Sequence, residues 1–480
     1  MRTPRISRPP AARRPGRLGR RLAVLAALGV FAAVAWLLPV RELDLAVYWR
    51  AAQQAFVAGV EPYTRPDDAG LPFTYPPTAL FLLRPLAGLT LAEAADLVWA
   101  MNLALAVVVI VLLPRDLASA PVGAASLPRQ APPDAARAVA AQRLRTWGPL
   151  YIACFGGLYL TLHFQQVNLL LLLCLWGFWR VLRRPWPGGG WISLRSSTLR
   201  AFLPGLRGLG AGAALALGSV AKPHYGLLLL GAFGCPRVGR RPGPGLWLLL
   251  GAAIAGGLLL WLSLVLAPAG SWSTWWAQVP GTTSLTALPP GHSSIAAPWN
   301  RSIAGEAARW LVPNKFTTPV LASPALAGLI TSALVLALGL ATAWAVLGSV
   351  RRRARCCALG AGGADATAVD LELSLIAVWV FLAAPASWTH HLVMLLPAAL
   401  VLLRDAVLDP RAGRLGRLAA GLVLAVLALT LDDLIPREVR TGSHAIMALM
   451  TFAVLGLWAL LLERLLRHAA AARGAPGRAH

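Results

Sequence analysis

Apolar positions in this chain come in long blocks, not in the alternation or the narrow stripes of a soluble protein. The runs 22–40, 244–266 and 325–350 are near-continuously apolar, and as helices each is long enough to cross roughly 30 Å of hydrocarbon. The same reading along the whole chain predicts apolar helices over 21–40, 93–113, 147–163, 167–183, 204–221, 224–236, 244–266, 325–350, 372–387, 390–404, 416–434 and 444–462. The expected fold class is therefore an all-α polytopic membrane protein with about twelve crossings. Residues 76–90 are apolar as well, but they are few and contain Arg84 and Pro85. They are expected as a half-helix or interfacial helix and not as a crossing.

Between the blocks the pattern changes. Leu45, Tyr48, Trp49, Ala52 and Phe56 recur at helical spacing, with Arg50, Gln53 and Gln54 opposite. That predicts an amphipathic helix lying in the interface. A second long polar segment, about 267–324, carries Trp272, Trp275 and Trp276, then Pro289-Pro290-Gly291 and Pro298-Trp299-Asn300-Arg301-Ser302. The tryptophans suit a membrane-interface belt.

Composition supports the membrane reading. Only 13% of the 480 residues are charged, against about a quarter in a soluble domain. The net charge of +25 comes from 44 Lys and Arg against 19 Asp and Glu. In a soluble chain this would point to nucleic acid. Its placement says otherwise. With the N-terminus inside, the segments 1–21, 114–146, 180–207, 237–241, 351–355, 404–417 and 464–480 hold 34 of the 44 basic residues. That is the positive-inside bias. It predicts cytoplasmic termini, contact with membrane lipids and no nucleic-acid partner. The expected organisation is a basic tail over 1–20, one membrane domain over 21–462 with outward loops at about 41–92 and 267–324, and a second tail over 463–480.

Ala33-Val34-Ala35 mimics a signal-peptide cleavage site, but the apolar run is too long for a signal core and more spans follow. An uncleaved first span is expected. Cys154, Cys174, Cys235, Cys356 and Cys357 have no metal-site spacing. Gly188-Gly189-Gly190 reads as a flexible linker. The chain has no Walker loop, dinucleotide fingerprint or paired-histidine zinc helix. Only two of the basic residues are lysines, a bias suggestive of a GC-rich genome and hence of a bacterial plasma membrane.

A few polar residues stand where they are costly. Asp44 opens the interfacial helix, either as its N-cap or as a general base. Gln165, Gln166 and Asn168 break the run between 147 and 183. Lys222, before Pro223 and His224, interrupts another, and either snorkels to the interface or meets an anion such as phosphate. His390 and His391 follow Ser387-Trp388 as interfacial histidines or as ligand contacts. Adjacent helical positions point apart, so one of the two is expected to face any given site. Asn300-Arg301-Ser302 can be a turn or a ligand contact.

In order, Asp44-Leu45-Ala46-Val47-Tyr48, Gly59-Val60-Glu61-Pro62-Tyr63, Phe73-Thr74-Tyr75-Pro76-Pro77, Gln166-Val167-Asn168, Ala221-Lys222-Pro223, Asn300-Arg301-Ser302 and Ser387-Trp388-Thr389-His390-His391 resemble the family-87 glycosyltransferases. These are polyprenol-phosphate-mannose-dependent mannosyltransferases of actinobacterial envelopes with the GT-C fold. The likeness runs from about 41 to 404. It implies a hexosyltransferase with Asp44 as the catalytic carboxylate and Lys222 on the donor phosphate. Tyr48, Tyr75, Gln166, Asn168, Asn300, Arg301, His390 and His391 are the implied lining of the substrate pocket. The implied partners are a polyprenyl-phosphate sugar donor and a lipid- or glycan-linked acceptor on the extracytoplasmic face. No cofactor or metal is implied. Two positions depart from the family: Gln165 stands where Gly is usual, and Arg301 follows Asn300 where an uncharged polar residue is expected. The alternative is a transporter or lipid-carrier flippase, for which twelve spans and a mid-membrane Lys are also suitable. The two halves of the chain, however, show no matching motif spacing.

Overall fold

The computed structural model describes residues 16–63, 71–119, 135–184, 198–234, 237–238, 241–287, 291–358, 365–430, 439 and 443–473. Most of the N-terminal tail, the end of the C-terminal one, Gly188-Gly189-Gly190, Cys235, Pro289-Pro290 and the side chains of Cys356 and Cys357 lie outside them. The described residues are almost entirely helical. In chain order they form α1 (Arg17–Leu37), α2 (Leu43–Gln53), α3 (Leu80–Leu83), α4 (Leu91–Leu117), α5 (Ala135–Ala153), α6 (Gly156–His163), α7 (Asn168–Arg183) and α8 (Thr198–Ser219). There follow α9 (Pro244–Leu266), α10 (Ser271–Thr283), α11 (Ile303–Leu311), α12 (Pro324–Ala358), α13 (Ala366–Ala383), α14 (Leu396–Leu402), α15 (Arg414–Leu429) and α16 (His444–Arg473). The extended structure includes a two-residue antiparallel pairing, Arg237–Val238 with Arg241–Pro242.

Seven described helical segments are long and apolar enough to cross a membrane unaided. The other expected crossings fall on α7, α8, α15 and on irregular elements, and one of the seven is irregular as well. The run 147–163 is not one helix: α5 stops at Ala153 and α6 starts at Gly156. There a Cβ on Gly157 would sit 3.1 Å from the backbone nitrogen of Val393, so α6 rests directly on the backbone of a neighbouring segment. Residues 223–234 form a 3-10 helix. At ~2.0 Å per residue its twelve residues reach about 24 Å, where an α-helix would reach about 18 Å. The run 390–404 is likewise mixed, 3-10 over Thr389–Leu395, α14, then a π-turn over Leu403–Val407. Residues 76–90 appear as three short turns, Pro77–Ala79, α3 and Arg84–Leu86, in keeping with the expected half-helix.

The bundle has a buried centre and an apolar skin. The crossing windows of α13 and of Thr389–Val407 are 83% and 89% buried, against 11% for α12 and 17% for α1. The outer helices turn Trp36, Trp261, Leu264, Leu336 and Trp344 outward, which suits hydrocarbon and not water. Packing without a hydrophobic driving force favours small residues, and α8 and α9 meet through them. A Cβ on Gly212 would lie 2.0 Å from the Leu248 carbonyl, and one on Gly251 would lie 2.1 Å from that of Leu209.

α13 begins earlier than the apolar run suggests, which places Asp370 and Glu372 inside a fully buried helix. Both are paired, as buried carboxylates must be. Asp370 takes Arg183 Nε at 2.6 Å, Arg404 Nη1 at 2.7 Å and the Trp179 indole at 2.8 Å. Glu372 takes Arg353, which also donates to the Gly231 carbonyl. Asp116 joins from α4 through Arg180 and Trp176. This network ties the C-terminal ends of α4 and α7 to α13 and to the segment after α14.

Candidate active site

The second polar cluster lies at the other end of α7. Asn168 is that helix's first residue and Arg183 its last, so the two clusters stand about 22 Å apart along it.

Asp44 arrives by way of a pinned approach. After α1 the chain runs extended, and Arg41 N–H donates to the His163 carbonyl at 2.8 Å while the His163 ring bonds the Pro39 carbonyl. α2 then opens with Glu42 at the cap position and no side-chain cap. The N-cap alternative for Asp44 therefore falls: it sits inside the first turn, and its Oδ2 accepts from Gln166 Nε2 at 2.5 Å. Gln166 Oε1 in turn accepts from the Tyr48 hydroxyl at 3.0 Å, and Tyr48 meets the Tyr75 hydroxyl at 3.1 Å. One chain of hydrogen bonds thus links a carboxylate, an amide and two phenols from three separate segments. Lys222 Nζ donates to Asn168 Oδ1 at 2.7 Å. Its charge is felt by Asp44, His224, His390 and His391, so these groups lie near it.

Burial pushes the Asp44 carboxyl up to about 6, although the Gln166 hydrogen bond and the Lys222 charge both pull it down. At neutral pH it is ionised yet basic, as a general base should be. Tyr75 is pushed up to about 12, first by burial, and stays a neutral hydroxyl.

Several polar atoms here are buried without a protein partner: Asn168 Nδ2, His390 Nε2 and Gln165 Oε1. Such atoms are rare in folded proteins and call for a ligand or water. Gln165 also has φ +51°, the left-handed region in which Gly is at ease and other side chains are strained. Glutamine at this position thus has a backbone consequence. The turn it makes aims Gln166 at Asp44 and starts α7 at Asn168.

Irregular helix surrounds the cluster. A π-turn over Gln54–Ala58 follows α2, the 3-10 helix 223–234 follows Lys222, and His390 opens another 3-10 stretch. Long 3-10 and π segments are uncommon and frequently mark functional sites. His390 is buried with its ring against Phe164 and against His391, and its carbonyl accepts from Thr161.

Asn300 and Arg301, expected to line the substrate pocket, sit in a dense hydrogen-bond network. Both are fully buried. Asn300 donates to the carbonyls of Ile295 and Pro385 and accepts from the backbone N–H groups of Ser302 and Ser387. That uses the amide's capacity. Arg301 donates to Thr389 Oγ1 at 2.9 Å and to the Met447 carbonyl. The pair staples the 299–302 loop to 385–389, with an Asn300–Trp388 bridge between them, and faces inward. Two further residues hold the cluster, one of them, Asn102, outside every quoted motif. Asn102 on α4 donates to the Gln166 carbonyl at 3.0 Å, and the Tyr63 hydroxyl donates to the Tyr75 carbonyl at 2.7 Å. The available signal for Asn102 is a lone amide within an apolar run.

A bundle of apolar helices with a basic carboxylate within the field of a buried lysine is the arrangement of a polytopic membrane protein with a polar site. The family model for glycosyltransferase family 87 matches residues 73–367, more than half of the chain. The chain belongs to that family and is a membrane glycosyltransferase. The matched span is narrower than 41–404: it includes Tyr75, Gln166, Asn168, Lys222, Asn300 and Arg301 and leaves Asp44, Tyr48, His390 and His391 outside. No curated protein and no solved structure is significantly similar to it.

Proposed function

We propose that the protein transfers a hexosyl group, mannosyl by resemblance, from a polyprenyl-phosphate sugar to a hydroxyl of an envelope glycolipid or glycan. The observation that carries this reading is the Asp44–Gln166–Tyr48–Tyr75 chain beside a lysine whose charge Asp44 feels. In a single displacement the acceptor oxygen attacks the anomeric carbon from the face opposite the lipid phosphate. Its O–H proton passes to Asp44, and the C1–O bond breaks with its electron pair going to the departing phosphate. One displacement inverts the anomeric centre. Lys222 offsets the charge growing on the phosphate, with His390 or His391 beside it, which makes a metal unnecessary for the leaving group. Asn168 holds Lys222 in place, and Asn300 and Arg301 position the segment carrying the histidines.

The charge distribution supports twelve crossings with both termini in the cytoplasm, a single membrane domain over 21–462 between two basic tails, and a site on the extracytoplasmic side of the plasma membrane. The test incubates the purified protein, reconstituted in vesicles, with labelled polyprenyl-phosphate mannose and envelope lipids. Label in a lipid or glycan product is the expected result. No transfer from this donor or from other polyprenyl-phosphate sugars sinks the reading.

A further inference from the structure

A cavity of about 330 Å³ lies outside the Asp44 cluster, lined by Leu71, His292, Ser293, Ser294, Trp299 and Lys315 among others. Its volume is in the range of small-ligand sites. Trp299 is 44% exposed, yet its neighbours are hydroxyls, an imidazole and an ammonium instead of lipid-facing leucines. The indole packs edge-on to Phe316 at 5.7 Å, and Lys315 stands 5.3 Å over the same Phe316 ring.

The platform is braced by buried and half-buried polar groups that do not line the cavity themselves. The Trp299 carbonyl accepts from both the N–H and the hydroxyl of Thr389. Arg309 donates to the carbonyls of Ala297 and Asn300 on either side of it. Asn314 Oδ1 accepts from the backbone N–H groups of Phe316 and Thr317. Buried brackets of this kind preorganise a binding surface and reduce the ordering cost of occupying it.

Both walls lead to the candidate active site. Leu71 is tied to α2 by Arg50, which donates to its carbonyl at 3.2 Å, and four residues on, at most about 14 Å away, stands Tyr75. Trp299 is bonded to Thr389, the neighbour of His390. The geometry points to this cavity as a subsite for the head of the acceptor, a pyranose carrying an anionic substituent such as phosphate. The polarised C–H face of a pyranose matches the negative face of an indole. Ser293, Ser294 and His292 offer partners to ring hydroxyls, and Lys315 supplies the cation for the anionic group. The inference rests on the transferase reading for the word acceptor but not for the pocket itself.

The test uses the full chain in nanodiscs of zwitterionic lipid, with saturation-transfer NMR on three probes: mannose 6-phosphate, methyl α-mannoside and glycerol phosphate. Mannose 6-phosphate is expected to bind best. Trp299→Ala should weaken both sugars at least tenfold and Trp299→Phe less, while Lys315→Ala should reduce mannose 6-phosphate to the level of the neutral sugar. Glycerol phosphate binding as tightly as mannose 6-phosphate would mark a phospholipid-headgroup site and overturn the inference, as would sugar binding that survives Trp299→Ala. Lys315 is exposed, so its variant reads out even where Trp299→Ala does not fold. In the transfer assay Trp299→Ala should raise the acceptor KM tenfold with the donor KM within twofold. Probe binding without any transfer would defeat the proposed function and leave the sugar site standing. Transfer with no probe binding would do the reverse.

Discussion

α7 carries two polar clusters that handle charge in opposite ways. At its C-terminal end Asp370 is gripped by two arginines and an indole, and Glu372 nearby by a third arginine. At its N-terminal end Asp44 has one hydrogen bond and a lysine's field, and its neighbours Asn168, Gln165 and His390 each keep a buried polar atom without a protein partner. The first arrangement resembles a lock: its charges are spent on one another, and breaking a pair would strand a buried charge. The second leaves its capacity unspent, which is how a binding site differs from a structural network of the same residue types.

That contrast can be broken experimentally. The largest effect is expected from Asp44→Asn, a loss of transfer of about 100- to 10,000-fold if it is the base, with the thermal midpoint unmoved. Full activity in reconstituted vesicles would remove the base assignment. Asp370→Asn should do the opposite, lowering stability by roughly 3–5 kcal/mol through two uncompensated guanidinium groups, read by thermal unfolding in detergent. Normal stability with lost transfer would erase the distinction between the two clusters. Lys222→Met should weaken the apparent donor affinity by about tenfold or more, the scale of a lost charged hydrogen bond. An unchanged donor KM would disprove the phosphate role.

The pH profile sharpens the same point. Asp44 acts as a base only when ionised, so the rate should fall about tenfold per unit as the pH drops below about 6. The Lys222 charge holds the Asp44 carboxyl down, so in Lys222→Met the acid limb should move to higher pH. A limb that stays in place means the two groups are uncoupled. The smallest effect belongs to Gln165→Gly. It relieves a left-handed φ and removes a buried amide oxygen that has no partner, and should raise stability by about 1 kcal/mol, visible as a higher midpoint.

How much of this was legible in the sequence varies from residue to residue. The α9 run 244–266 coincides with its helix because a continuous apolar block leaves a chain in lipid few other options. Lys222 and Asp44 stood out because charge is costly at such depth. Asn300 and Arg301 stood out only as part of the motif order, and both are fully buried and hydrogen-bonded: a sequence shows that a group is polar but not which neighbour it meets. The 3-10 segments 223–234 and 389–395 could not be told from α-helix, since both periods suit an apolar run. Asp370 and Glu372 were hidden because their arginines come from residues 183, 353 and 404.

The sequence by itself determined the solvent, the class of fold and the family, because hydrophobic run length and motif order are one-dimensional properties. Only the tertiary structure decided which polar residues are spent on the fold and which remain available. That depends on which chemically similar side chains from segments more than a hundred residues apart, such as Asp44 and Gln166, are brought within one hydrogen bond.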